Sequence, residues 1–290
     1  MNSINTPSHG PIGLFDSGFG GLSIFREMRK LLPEDYDYIF LGDNGRAPYG
    51  NRSFEEVYTF TYEAVRRLFQ MGCPLVILAC NTASAKALRN IQQHRLPALD
   101  DPTRRVLGVI RPTVEAVGAE TRNKHIGIVA TRGTILSNSY TLELAKILPN
   151  ASVSGQACPQ WVPLIEQGML DTPELLTTVK NDLQRLLEAD PLIDTVILGC
   201  THYPLISDTI RTALNHLERS DIRLIEQGPL VAKSLASYLQ RHPEMEQRIT
   251  RGGKTRYYTT GSLQNFDHLA SMFLGERDGD IHAQKIRLEL

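Results

Sequence analysis

Two cysteines stand at matching places in two similar stretches of the sequence, and each is followed by side chains that can hydrogen-bond. Residues 76–82 read Val-Ile-Leu-Ala-Cys-Asn-Thr, and residues 196–202 read Val-Ile-Leu-Gly-Cys-Thr-His. A continuous aliphatic run predicts a strand buried on both faces, as in a parallel sheet. Open α/β sheets bind their ligands at the carboxyl ends of the strands. We therefore expect Cys80 and Cys200 to lie at a functional site.

Two thiols placed in this way allow several kinds of chemistry. A redox pair usually occupies a local CxxC, whereas these two cysteines lie in different repeats. A metal site would have to use Cys80, Cys200 and His202. The Cys-Thr-His spacing is unusual for zinc, and the first stretch offers no second strong ligand. Two buried structural cysteines remain an alternative, because free cysteine is often buried.

Proton transfer is the chemistry that the repetition favours. Inverting a carbon centre requires removal of a proton from one face and its return to the other, which a single base cannot easily do. A thiol with an ordinary pKa of about 8.5 can act as acid or base near neutrality if its neighbours lower that pKa modestly. His202 lies two residues from Cys200, and Asp16, Asp43 and Glu166 lie at other predicted strand ends or loops.

The elements that must hold these residues also occur in two copies. Residues 12–18 read Ile-Gly-Leu-Phe-Asp-Ser-Gly, and residues 126–133 read Ile-Gly-Ile-Val-Ala-Thr-Arg-Gly. Each copy predicts a strand followed by a loop, and each precedes one of the cysteine stretches. Strand patterns and helical apolar spacing alternate along the rest of the chain. This alternation predicts an α/β fold with parallel sheets, in two similar halves with a site between them.

A glycine-rich turn, residues 16–21, joins the first predicted strand to a helix predicted over residues 22–32. Such a turn leaves free backbone N–H groups at the start of a helix, where anions bind. The spacing is neither a dinucleotide fingerprint nor a Walker loop, because Ser23 stands in place of the third glycine and no Gly-Lys-Ser/Thr follows. A small carboxylate therefore suits this turn better than a nucleotide does.

Composition excludes some classes of partner. The 290 residues are 41% hydrophobic and 22% charged, typical of a soluble globular protein of one or two domains, and the formal net charge is −1. This balance gives no electrostatic case for nucleic acid or an anionic membrane surface. No apolar run approaches the roughly 18–20 residues of a membrane helix, and residues 1–10 lack the apolar core of a secretory signal. We therefore expect a cytoplasmic protein whose four cysteines are reduced.

The sequence resembles the cofactor-independent glutamate racemases of the aspartate/glutamate racemase superfamily almost from end to end. The motifs that carry the resemblance are Gly-Leu-Phe-Asp-Ser-Gly-Phe-Gly-Gly-Leu-Ser at 13–23, Leu-Gly-Asp at 41–43 with Pro-Tyr-Gly at 48–50, Ala-Cys-Asn-Thr-Ala-Ser at 79–84, Cys-Pro at 158–159 with Val-Pro-Leu-Ile-Glu at 162–166, and Gly-Cys-Thr-His-Tyr-Pro at 199–204. Tyr-Thr-Thr-Gly at 258–261 and Phe-Leu-Gly at 273–275 match as well. Together these motifs are highly specific.

The resemblance implies a glutamate racemase that supplies D-glutamate for bacterial peptidoglycan and uses neither pyridoxal phosphate nor metal. It implies that Cys80 takes the Cα proton from the D-isomer and that Cys200 takes it from the L-isomer. Asp16, Glu166 and His202 match positions that tune or assist the thiols. The substrate contacts that the resemblance implies are Asp16, Ser17, Tyr49, Gly50, Asn81, Thr82, Thr201 and His202.

Several of these side chains also have a purely structural explanation. Asp16 could cap the following helix, and Tyr49 could pack within its Pro-Tyr-Gly turn. His202 could hydrogen-bond a strand end, and Glu166 could lie on the surface.

Two segments depart from the commonest family pattern. Residues 43–46 read Asp-Asn-Gly-Arg instead of Asp-Thr-Ala-Arg, and residues 226–228 read Glu-Gln-Gly instead of Asp-Ser-Gly. The second departure lies beside the expected site.

The expected architecture is two Rossmann-like α/β domains with mostly parallel sheets, related by pseudo-symmetry, with the active site in the cleft between them. The resemblance assigns residues 1–105 plus 224–290 to the first domain and 106–223 to the second, whereas the residues alone also allow a simple two-part split.

Aspartate racemase is the nearest alternative enzyme, although its members tend to carry Cys-Thr-Glu at the second cysteine. An amino-acid-binding module without turnover is the alternative from another class. Because members of the family often form dimers, a homodimer is one expected assembly.

Overall fold

A computed structural model describes residues 9–277 and 279–289. The expectation that the chain lacks a secretory signal concerns mainly residues 1–8, and these lie outside the described residues. Helices and strands alternate along the chain, as the sequence predicts. The strands are β1 (Ile12–Asp16), β2 (Tyr38–Gly42), β3 (Leu75–Leu78), β4 (Arg105–Gly108), β5 (His125–Ala130), β6 (Ser152–Ala157), β7 (Thr195–Gly199), β8 (Arg223–Ile225), β9 (Thr255–Thr259) and β10 (Ala283–Lys285).

The helices follow the apolar spacing of the sequence, and several begin at side chains that cap them. At the start of the second helix, the Ser53 hydroxyl accepts the N–H of Glu56 at 3.1 Å while the Glu56 carboxylate accepts the N–H of Ser53 at 3.0 Å, which forms a capping box. The α-helices are α1 (Gly21–Leu31), α2 (Phe54–Gln70), α3 (Asn81–Lys86), α4 (Leu88–Asn90), α5 (Ile110–Glu120), α6 (Arg132–Leu136), α7 (Ser139–Ile147), α8 (Trp161–Glu166), α9 (Pro173–Ala189), α10 (Ser207–His216), α11 (Gln227–Arg241), α12 (Pro243–Glu246) and α13 (Leu263–Leu274).

The strands form two sheets. The six-stranded sheet has the order β10-β9-β2-β1-β3-β4, and the four-stranded sheet has the order β6-β5-β7-β8. Every pairing between these strands is parallel. Strands β3 and β7 are buried at every position, which explains their unbroken aliphatic runs. The expected class, an α/β fold with two parallel sheets, is confirmed.

The register within each sheet brings the two repeated motifs together. In the six-stranded sheet, Phe15 of β1 lies beside Leu78 of β3, so Asp16 and Cys80 leave the same edge of the sheet. In the four-stranded sheet, Ala130 of β5 lies beside Gly199 of β7, so the residues after both strands also share an edge. The carboxyl ends of parallel strands meet at one edge of a sheet. Cys80 therefore lies next to the loop after β1, and Cys200 lies next to the loop after β5.

The chain passes between the sheets twice. Strand β4 pairs with β3 in the six-stranded sheet, and α5 then leads to β5 in the four-stranded sheet. Strand β8 pairs with β7, and α11 packs against α1 as the chain returns to β9 and β10. Sheet membership alone does not divide the chain into domains, so the bounds 1–105 plus 224–290 and 106–223 stay a prediction.

Among the described residues, no helix combines the length and the apolar character needed to span a membrane.

Candidate active site between the two cysteine loops

Cys80 forms the N-cap of α3, immediately beyond β3, and is only 6% exposed. Its sulfur accepts the backbone N–H of Ala83 at 3.4 Å and lies 3.3 Å from the hydroxyl of Ser17. Ser17 comes from the glycine-rich turn after β1, which is the adjacent strand. Strand pairing and helix capping together therefore hold the thiol at the carboxyl edge of the sheet.

Asp16 lies at the end of β1 and is 1% exposed. Its Oδ1 atom accepts the N–H of Gly18 at 2.8 Å, whereas Oδ2 makes no hydrogen bond to any described residue. Burial raises the pKa of Asp16, although His202 and the Gly18 N–H oppose that shift. A buried carboxylate oxygen without a partner is costly, so this atom is a place where a cationic ligand group would be stabilised.

The surroundings of Cys80 favour a thiol in this structure. Burial and the nearby Asp16 carboxylate raise the pKa of Cys80 to about 12, while Ser17 and the Ala83 N–H act in the other direction. A cation bound beside Asp16 would reduce this unfavourable charge interaction. The protonation state of Cys80 therefore depends on what occupies the site.

Cys200 follows β7 directly and is also 6% exposed. Its sulfur lies 3.8 Å from Nδ1 of His202, whose Nε2 lies 3.0 Å from Oε1 of Glu166 at the end of α8. Burial alone would lower the pKa of His202, but its bonds to Cys200 and Glu166 outweigh burial and raise that pKa to about 10. The imidazole is thus protonated near neutrality and places a positive charge beside Cys200.

The glycine-rich turn packs directly onto the second cysteine loop. The hydroxyl of Ser23 donates to the backbone carbonyl of Thr201 at 2.8 Å. A Cβ at Gly20 would overlap the side chains of Thr201 and His202, so only glycine permits this approach. The site of a Cβ on Gly18 would be 3.8 Å from Oδ1 of Asp16 and 3.9 Å from Oε1 of Glu166. The groups around the two cysteines therefore border a common space.

A second contact between the halves involves threonine hydroxyls. Oγ1 of Thr82 lies 3.0 Å from Oγ1 of Thr131 and 3.3 Å from Oγ1 of Thr134. Thr131 caps α6, directly after β5, and a Cβ at Gly50 would meet its side chain. Thr82 and Gly50 were expected at the site, whereas Thr131 and Thr134 were missed. Their place after β5, which repeats the pattern of β1, was the signal that could have identified them.

Tyr49 and Asn81 are turned toward other protein groups. The Tyr49 hydroxyl donates to the buried Asp43 carboxylate at 2.5 Å, and Asp43 also accepts from Arg46 and Thr260. Asn81 bonds to Gln227 and Tyr140, neither of which was singled out as a site residue. The roles of Tyr49 and Asn81 as substrate contacts stay predictions. Gln227 lies in one of the two segments that depart from the family pattern, but no signal in the sequence pointed to Tyr140.

All four cysteines are free thiols. Within residues 9–277 and 279–289, no group of three or more His, Cys, Asp or Glu side chains is arranged to hold a metal ion. The residues that the fold brings together can instead exchange protons: two cysteines, one protonated imidazole and two carboxylates. Hydroxyls and backbone N–H groups between them can bind carboxylates.

The chain is similar to racemases of known sequence and structure. Residues 12–235 match the family model of Asp/Glu/hydantoin racemases. A glutamate racemase from a Ruegeria species is 41% identical over 273 residues, covering 91% of this chain and 96% of that protein. The crystal structure of glutamate racemase isoform RacE1 from Bacillus anthracis superimposes with a TM-score of 0.82 at 35% identity, covering 98% of each chain. A glutamate racemase from Francisella tularensis in complex with D-glutamate gives 0.83 at 31% identity, covering 97% of this chain and 98% of that one. The chain therefore belongs to the Asp/Glu/hydantoin racemase family and is an isomerase, an amino-acid racemase.

Proposed function

We propose that this racemase interconverts L- and D-glutamate by two-base proton transfer, with Cys80 and Cys200 as the acid/bases. The observation that carries the proposal is that the two thiols follow matched strands of two sheets. Cys80 lies beside the turn after β1, and the helix that follows this turn contacts the loop of Cys200 through the bond from Ser23 to Thr201. Each thiol is almost buried and has its own acid/base neighbours. A relative of known structure, from Francisella tularensis, binds D-glutamate.

The proton moves in one direction for each enantiomer. With D-glutamate, the Cys80 thiolate removes the Cα proton and becomes a thiol, and the electron pair left on Cα is delocalised into the α-carboxylate. The Cys200 thiol then returns a proton to the opposite face and becomes a thiolate. With L-glutamate the two cysteines exchange roles. One thiolate and one thiol are needed at the start of each turnover, so neither cysteine can be spared.

Substrate charge provides a reason for Cys80 to ionise in the complex. The buried Oδ2 of Asp16 makes no hydrogen bond to any described residue, and the ammonium of glutamate would supply its partner. That ammonium offsets the carboxylate charge that helps to raise the pKa of Cys80. On the other side, the protonated His202 stabilises a Cys200 thiolate and is itself held by Glu166. No step of this scheme uses pyridoxal phosphate or a metal ion.

The two carboxylates of glutamate require donors, and the loops carry several. Ser17, Thr82 and Thr201 bear hydroxyls, and the turn at 17–20 precedes the N-terminus of α1, where backbone N–H groups and the helix dipole favour an anion. We assign these groups to the carboxylates and Asp16 to the ammonium. Asn81, Tyr49, Gly50 and His202 complete the proposed binding site.

The wider biological role follows from this activity by analogy with the family. D-glutamate made by this enzyme would serve peptidoglycan synthesis in the cytoplasm, where the precursor is assembled. A homodimer is the assembly that we propose. Size-exclusion chromatography with light scattering distinguishes a homodimer from a monomer.

Circular dichroism of L-glutamate, D-glutamate and L-aspartate with purified, metal-chelated protein tests the proposed reaction. We expect both glutamate enantiomers to reach the same equal mixture without any added cofactor, with little change in L-aspartate. In deuterium oxide, Cα of the product should carry deuterium, because the donating thiol exchanges with solvent. Binding of glutamate without exchange would favour a binding module. A requirement for pyridoxal phosphate or a divalent metal would refute the mechanism.

A further inference from the structure

A closed ring of hydrogen bonds lies next to the first cysteine loop and is made by buried side chains. Asn81, directly after Cys80, donates from Nδ2 to Oε1 of Gln227 at 2.5 Å. Gln227 donates from Nε2 to the Tyr140 hydroxyl at 2.7 Å, and Tyr140 donates to Oδ1 of Asn81 at 2.7 Å. We call these three residues the Gln227 ring. All three are at most 3% exposed.

The direction of each bond in the Gln227 ring follows from the chemistry of its members. The second Nε2 hydrogen of Gln227 goes to the hydroxyl of Thr113 at 3.0 Å, because that hydroxyl donates its own hydrogen to the carbonyl of Val109 at 2.7 Å. Rotating the Gln227 amide by half a turn would oppose its NH₂ group to that of Asn81. One orientation therefore satisfies the whole ring, and it leaves the second Nδ2 hydrogen of Asn81 without a partner among the described residues.

The Gln227 ring lies where the chain passes between the sheets. Gln227 is the first residue of α11, which returns the chain to the six-stranded sheet, and Thr113 is in the first turns of α5, which leaves it. Tyr140 lies on α7 and packs in one buried cluster with Ala130 of β5 and Ile197 of β7, the strand that ends just before Cys200. The ring thus links the residue after Cys80 to a side chain packed against the strand that precedes Cys200.

We propose that Gln227 is a positioning residue that fixes the separation of the two thiols by holding Asn81 and Tyr140 at the crossing between the sheets. This inference rests on the proposed two-thiol racemisation. Proton removal needs a thiolate on only one face, whereas inversion also needs the second thiol within reach of the opposite face. Loosening the ring should therefore impair delivery of the second proton more than removal of the first.

Gln227→Met and Tyr140→Phe test the proposal, because both keep most of the side-chain volume and remove polar contacts. Tyr36→Phe is the matched control: Tyr36 is also buried, and its hydroxyl bonds to Glu246 at 2.9 Å, away from the cysteines. Each protein is incubated with one glutamate enantiomer in deuterium oxide. Racemisation is measured by circular dichroism, and deuterium is measured at Cα of both the product and the recovered substrate.

We expect racemisation to fall by up to roughly 10²-fold in Gln227→Met, as for other small displacements of reacting groups, and by less in Tyr140→Phe. The ratio of deuterium in recovered substrate to deuterium in product should rise severalfold in both variants and stay at the wild-type value in Tyr36→Phe. Parallel loss of exchange and racemisation, an unchanged ratio, or an equal rise in Tyr36→Phe would overturn the positioning role alone. A wild-type protein that neither racemises nor exchanges glutamate would overturn the proposed function and this inference with it.

Discussion

The loops that follow β3 and β7 place their cysteines alike but surround them differently. Cys80 has a serine hydroxyl and a backbone N–H for partners and a buried carboxylate, Asp16, nearby. Cys200 has an imidazole held by Glu166. Both sulfurs are equally buried, so the difference between them is electrostatic. Burial and Asp16 disfavour charge on Cys80, whereas the loop of Cys200 carries a protonated imidazole.

The difference suggests how two similar halves can perform opposite steps. A thiol and a thiolate are both needed at the start of a turnover, and the two loops give their cysteines different electrostatic surroundings. An ammonium bound at Asp16 then offsets the carboxylate charge that helps to raise the pKa of Cys80. Four experiments test whether the two cysteines differ in this way.

Loss of either thiol should have the largest effect. Cys80→Ser and Cys200→Ser should each abolish racemisation, a loss of at least ~10²–10⁴-fold, because a hydroxyl is a far weaker acid than a thiol. Each variant keeps one base. Cys80→Ser should still eliminate a leaving group from the L-isomer of a β-substituted glutamate, and Cys200→Ser from the D-isomer.

Product formation from each enantiomer of the analogue measures this division. Cys73→Ala is the matched control, because Cys73 is buried under the first sheet and belongs to neither loop. Equal loss of both enantiomers in both serine variants, with the fold intact, would contradict the assignment of one face to each thiol.

Removing the neighbours of the thiols should show the asymmetry directly. His202→Gln should lower kcat/KM by roughly 10²-fold, because Cys200 loses its cationic partner, whereas Ser17→Ala should cost only about tenfold. Steady-state kinetics in both directions provide the measurement. Similar losses in the two variants would mean that the electrostatic difference between the loops does not matter for turnover.

Thiol reactivity should report the same asymmetry without turnover. At pH 8, a cysteine with a pKa of about 12 is ionised to roughly one part in 10⁴, so iodoacetamide should modify Cys200 at least about tenfold faster than Cys80. Peptide mass spectrometry over time gives both rates, and Cys73, whose pKa burial also raises to about 12, serves as the slow internal reference. Faster modification of Cys80 would reverse the comparison.

The fourth experiment concerns stability as a function of pH. The pKa of His202 rises from 6.5 to about 10 on folding, so its contribution to stability is complete below pH 6.5 and is lost as pH rises through about 10. The free energy of unfolding of the wild type should therefore fall relative to that of His202→Gln over this range. Urea unfolding at several pH values gives both curves, and the raised pKa of Cys80 affects both proteins equally. Parallel curves would show that the contacts with Cys200 and Glu166 do not raise the pKa of His202.

Much of the fold could be predicted from the sequence because its signals are local. The aliphatic runs before Cys80 and Cys200 predicted buried strands, and the capping residues of α2 fixed where that helix begins. Local signals do not show every detail: the helical stretch from Asn81 to Arg95 is divided into α3, α4 and a π-helical turn (Ile91–Arg95). Hydrogen bonding that shifts from one helical pattern to another leaves little trace in apolar spacing.

The residues that could do the chemistry can be identified from the sequence, because cysteine, histidine and carboxylate types at strand ends are visible without coordinates. Which of them become partners depends on tertiary packing. The contacts of His202 with Glu166, of Thr82 with Thr131 and of Asn81 with Gln227 join residues 36, 49 and 146 positions apart. Contacts at such separations depend on how two sheets and two crossing segments pack, and no local pattern encodes them. The charge on each thiol depends on burial and on these distant neighbours, so the difference between the two cysteines appears only in the folded protein.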